Sequence, residues 1–136
     1  MSTSIAVVTS QENVGKNDVL EIVRSLGGHQ SVRCSELGDP ETESLVTICL
    51  DKSILPGIVE TYPEGITEIA QALGGEPKTS IVADFFGVRG AELALRFACA
   101  CATLWPCVVY TLMEEFRILT KEDLLKLREE ETISFD

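Results

Sequence analysis

Three groups of residues stand at spacings that chemistry uses. Ser10-Gln11-Glu12-Asn13-Val14-Gly15-Lys16-Asn17 lies between an apolar run and a helical pattern, where a phosphate-binding loop would lie, and Asp84 could imitate the acid that holds its metal. Such a loop needs glycine where Ser10 stands, so that the backbone can wrap the phosphates, and Ser or Thr where Asn17 stands. Both positions fail, which leaves an ordinary loop and cap. His29, the one histidine, is five residues from Cys34, and an imidazole beside a thiol makes a nucleophile pair. On a strand that spacing sends the two side chains to opposite faces, so His29 reads as a turn residue. Cys99, Cys101 and Cys107 could join His29 around zinc, but their neighbours are apolar and offer no polar outer shell to orient ligands. Core packing is the better account of these thiols. No catalytic, cofactor-binding or metal-binding residue is therefore assigned, and no cofactor is expected.

Charge is the compositional outlier. Twenty-two acidic against eleven basic residues give a net charge of -11. This disfavours a nucleic-acid partner, whose phosphates demand basic side chains. Acids cluster at Glu36, Asp39, Glu41 and Glu43, at Glu114 and Glu115, and at 129–131. Such runs serve as solvated faces or as surfaces for a basic partner protein; for the second reading, Glu36, Asp39, Glu41, Glu43, Glu114 and Glu115 are the candidate partner-binding residues. Arg89, Glu92 and Arg96 are spaced to form ion pairs along one helical stripe. An anion grip at that helix start, from Gly87, Arg89 and Gly90, is the generic alternative.

The element that must position everything else runs from Val88 to Trp105. Its strongly polar members, Arg89, Glu92, Arg96 and Thr103, share one stripe, so a helix here is buried on most of its circumference and stops at Pro106. Ahead of it, 5–9 reads as a strand buried on both faces. A helix capped at Asn17 ends at Gly27-Gly28, and partial alternation over 30–37 and a clear run over 45–50 predict a hairpin. Pro56 and Pro63 make the next stretch irregular before a helix over 64–73, and 79–86 is another strand. After Pro106, 107–112 predicts a strand, Glu114-Glu115 a tip, 116–119 a short return, and Thr120 to Asp123 a capping box opening a last helix. Residues 131–136 read as a frayed acidic tail.

These elements predict one α/β (α+β) domain over 1–136, with a mixed, largely antiparallel sheet of about five strands. It would start as a split β-α-β (ferredoxin-like) unit, with both early helices on one face, a buried third helix and a C-terminal helix. The apolar stretch over 91–109 is interrupted by Glu92, Arg96 and Pro106, which argues against a membrane span. No secretion signal is read at the amino terminus, and the cysteines do not look paired, which fits a reducing, cytoplasmic setting.

From Leu104 to Val109, and again over Leu119-Thr120-Lys121-Glu122-Asp123-Leu124, the chain resembles small bacterial immunity proteins encoded beside secreted or contact-delivered toxins. The resemblance spans the final third. It implies a compact cytoplasmic protein that binds an incoming toxin domain and blocks it. With the acidic surface, it sets the expectation of a binding protein rather than an enzyme, acting on a cognate toxin or other basic protein. The competing expectations are a small-molecule-binding regulatory module and a small enzyme with its site at a dimer interface.

Overall fold

The computed structural model describes residues 3–111 and 117–135. In chain order the elements are β1 (Thr3–Thr9), α1 (Lys16–Ser25), β2 (His29–Gln30), β3 (Ser35–Asp39), β4 (Ser44–Leu50), α2 (Ile54–Thr61), α3 (Pro63–Leu73), β5 (Thr79–Phe86), α4 (Gly90–Leu104), β6 (Cys107–Thr111), β7 (Ile118–Leu119) and α5 (Lys121–Leu127). They build a single α+β domain around one seven-stranded sheet of order β2-β3-β4-β5-β1-β6-β7, every neighbouring pair antiparallel.

The sheet therefore has seven strands rather than five, the additions being the two-residue edge strands β2 and β7. The ferredoxin-like start is also overturned. β5 lies between β1 and the β3–β4 hairpin, and α2 and α3 pack on the face opposite α1, as the two apolar clusters show. A split β-α-β unit does occur, but later: β5 and β6 both run antiparallel to β1, so α4 joins two parallel strands with β1 between them.

Alternation along the strands sorts the core. Ile5 and Val7 of β1, Val46 and Ile48 of β4, Ile81, Ala83 and Phe85 of β5 and Val109 of β6 face α1, α4 and α5. On the other face, Ala6, Val8 and Val108 meet Ile58 of α2 and Ile69 of α3. Having an apolar partner on both faces explains why Ile5 to Thr9 is buried throughout. α4 behaves as its sequence predicts: Leu93, Leu95, Phe97, Ala98 and Cys101 are buried, whereas Arg96 and Thr103 are exposed and the helix ends at Leu104.

Several local expectations are corrected. α2 is a regular helix despite Pro56, because the ring falls in the first turn, where amides have no acceptor within the helix. α1 is capped at Gly15, not Asn17, with the Gly15 N–H donating to the Asp18 carboxylate at 2.8 Å. The chain leaving α1 comes so close to β3 that a Cβ on Gly28 would lie 2.3 Å from the Glu36 carbonyl oxygen, so only glycine fits. Within the acidic tail Phe135 is packed: it is 2 % exposed, its ring lies 5.6 Å from that of Phe85, and its carbonyl accepts from Arg117 Nη1 at 3.1 Å. The capping box holds, with Asp123 N–H donating to Thr120 Oγ1 and Thr120 N–H to Asp123 Oδ2.

The unpaired reading of the cysteines also fails. Ser35 sits opposite Ile48, which puts Cys34 opposite Cys49, and the two form a disulfide with Cα atoms 4.9 Å apart. Cys34 lies one residue before β3, where sequence alternation is weakest, so its cross-strand partner was hidden. Among the described residues no helix is long and apolar enough to cross a membrane.

Candidate functional site

α2 and α3 cover the second face of the sheet over β1, β6 and β7, with α2 reaching β5. Beyond them, no helix among the described residues covers the same face of β5, β4 and β3. Strand register lays its side chains out in rows. His29, Glu36, Thr47, Asp84 and Ser4 stand side by side across five strands. Leu45 and Phe86 form a neighbouring row, and the Cys34–Cys49 pair and Val82 another. Asp84 and Phe86 are exposed, Phe86 at 46 %, while Glu36, Leu45 and Thr47 are half-buried.

The polar row is internally bonded. Ser4 Oγ donates to Asp84 Oδ1, and His29 Nε2 lies 3.5 Å from Glu36 Oε2 at the sheet edge. His29 and Ser4 are four strand spacings apart, roughly 19 Å at ~4.8 Å per strand, too far for a proton relay. Cys34 is committed to its disulfide, so the His29–Cys34 pair does not form. Asp84 sits on the face opposite α1, so it cannot hold a metal for a phosphate at the start of that helix. What the surface offers is charge and contact area: two carboxylates and a half-exposed aromatic ring, with no Lys or Arg at these strand positions.

Of the acidic residues singled out from the sequence, Glu36 alone belongs to this surface. Asp39 is tied down at the end of β3. Its Oδ2 accepts from Arg89 Nη1 at 2.7 Å and its Oδ1 from Glu41 N–H at 3.1 Å. Arg89 also grips Glu92 with two hydrogen bonds, at 2.9 and 3.1 Å. Desolvation pushes the Asp39 carboxyl up, but the bonds from Arg89 and Glu41 outweigh it and leave its pKa below the ordinary value. The hydrogen bond from Arg89 likewise lowers that of Glu92. The arginine thus pins the start of α4 to the hairpin. Gly87 completes the joint at φ 92°, where a Cβ would lie 2.5 Å from Ser44 Oγ, the acceptor of Arg89 N–H at 2.9 Å. Arg89 is therefore occupied as a structural tie, and the expected ion pairing with Glu92 is present. Glu41 and Glu43 are exposed in the turn between β3 and β4. Glu114 and Glu115 lie outside the described residues.

Cys99, Cys101 and Cys107 are buried. Burial pushes the Cys107 thiol up to about 11 and the Cys101 thiol well up, as expected of thiols packed as small apolar groups. Among the described residues no group of three or more His, Cys, Asp or Glu side chains could hold a metal ion.

Asp84 and Phe86 were missed as surface residues, although the signal was available. In Ile81-Val82-Ala83-Asp84-Phe85-Phe86 the polar position fixes which alternate set faces outward. Thr47 and Ser4 gave no comparable signal. Compared with protein-family models, with curated proteins and with solved structures, the chain finds no match.

Proposed function

We propose that the protein is an immunity-like binding protein that neutralises a toxic effector by docking the uncovered half of its sheet on a basic surface of that effector. One observation carries the reading: the open part of the sheet presents Glu36, Asp84 and Phe86 together, with no Lys or Arg at these strand positions and His29 beside Glu36 at the edge. An aromatic ring framed by carboxylates can anchor in a pocket while the charges steer and orient a cationic partner. The net charge of -11 extends that attraction beyond the contact itself. Glu41 and Glu43 flank the surface at the hairpin turn, and Glu114 and Glu115 complete the acidic set considered from the sequence. The setting that goes with this reading is the cytoplasm of the cell exposed to the effector, against which the Cys34–Cys49 disulfide, a bond of oxidising compartments, weighs.

The test is protection on coexpression with the toxin domain encoded by the neighbouring reading frame. The expected result is growth with the wild-type chain and loss of growth with Asp84→Lys combined with Phe86→Ser, although the variant folds. Equal protection by the variant moves the interface elsewhere, and no protection by the wild type removes the reading.

A further inference from the structure

We infer that the groove between α4 and α5 is a binding site for a small amphipathic anion, a carboxylate or sulfonate carried on an apolar body. The site lies on the helical face of the sheet and does not depend on the docking surface proposed above. Its cavity measures about 260 Å³, and the charged residues lining it are Arg96, Lys121 and Arg128, with no Asp or Glu beside them. In a chain where acids outnumber bases two to one, this all-cationic lining is the reverse of the average surface.

Each cation has a defined origin. Arg96 stands on the polar stripe of α4, Lys121 opens α5 and Arg128 caps its end. The nearest carboxylate along α4 is Glu92, which Arg89 holds by both oxygens and which also feels the charge of Arg96 at longer range. Among the described residues none of Arg96, Lys121 and Arg128 forms an ion pair. Arg128 lies near enough to Cys99 to oppose the rise that burial gives that thiol's pKa. On their other side Arg96 and Arg128 line a neighbouring cavity of about 410 Å³ together with Arg89, Glu92, Glu130 and Glu131.

Apart from Thr103, whose hydroxyl donates to the Cys99 carbonyl, the rest of the wall is apolar. Ala100 and Ala102 on α4 are too small to fill the space, and Leu124 and Leu125 face them from α5, Leu125 being 44 % exposed. A bare phosphate would leave that wall wet, and a neutral apolar molecule would leave three cations unmatched. A molecule with an anionic head and a short apolar body satisfies both, because charge-assisted hydrogen bonds hold the head while the wall is removed from water.

The experiment is a fluorescence titration of the full chain with anilinonaphthalene sulfonate, followed by displacement. One saturable site is expected, emptied by octanoate but not by octylamine or inorganic phosphate at equal concentration. Arg96→Glu combined with Arg128→Glu should weaken dye binding by about tenfold or more, the loss of charged hydrogen bonds. Leu125→Asp should do the same from the apolar side, while Arg24→Glu on α1 should not. Cooperative melting at the wild-type temperature shows that each variant is folded. Non-saturable binding, binding indifferent to both groove variants, or equal displacement by octylamine or phosphate would each overturn the assignment.

Discussion

The two faces of the sheet are built to different ends. On one, three helices close over a continuous core in which Ile5, Val7, Ile81, Phe97 and Leu95 are at most 1 % exposed, and Phe135 returns from the end of the chain to seal it. On the other, α2 and α3 cover a smaller cluster around Ala6, Val8, Ile58, Ile69 and Val108 and leave the hairpin half of the sheet open. Stability is concentrated on the first face, and the second keeps surface free for contact. The sharpest way to break this contrast is to make a cavity on each side. Phe97→Ala should cost about 3–5 kcal/mol and Ile69→Ala less, toward ~2 kcal/mol, in urea unfolding. Equal costs would show that the thinner layer is as well packed as the thick one.

The open half needs another source of rigidity, and the disulfide supplies it. Cys34 and Cys49 are 15 residues apart in sequence and close the hairpin that no helix covers on its outer face. Loop-closure arguments put the stabilisation for such a span at ~3 kcal/mol. Replacing both by Ser, or reducing the native protein, should lower the unfolding free energy by that order. A change well below ~1 kcal/mol would mean that β3 and β4 are held by packing alone.

Elements with strong periodicity were legible from the sequence, and elements made by tertiary contact were not. The stripe of Arg89, Glu92, Arg96 and Thr103 located α4, although the helix runs Gly90–Leu104 with Arg89 as its cap rather than from Val88 to Trp105, and Thr120 with Asp123 located the start of α5. The edge strands β2 and β7 are two residues each: the short return read over 116–119 covers β7, but the run read as one strand over 30–37 is divided into β2 and β3. Strand order was misjudged because sequence pattern says which face of a strand is buried, not which strand lies beside it. The engagement of Asp39 was hidden for a similar reason: its partner, Arg89, is 50 residues away. Charge runs report composition, and only the fold separates a carboxylate that is spent on structure from one that is free to meet a partner.

The smallest expected effect on stability is also the one that isolates the proposed surface. Phe86 is the large apolar side chain of the open half, and with 46 % of it in water, removing it takes little away from the fold. Its neighbour across the pair, Leu45, is only half-buried, so no sealed cavity results. Phe86→Ser should therefore shift the unfolding free energy by no more than about 0.5 kcal/mol, as for surface changes away from caps, cavities and buried polar groups. If the ring is an anchor for a partner, the same substitution should cost about 2 kcal/mol or more in binding, the range of a buried aromatic contact. A large loss of stability with unchanged binding would place Phe86 in the core economy of β5 and leave the acidic row alone as the reason for the open face.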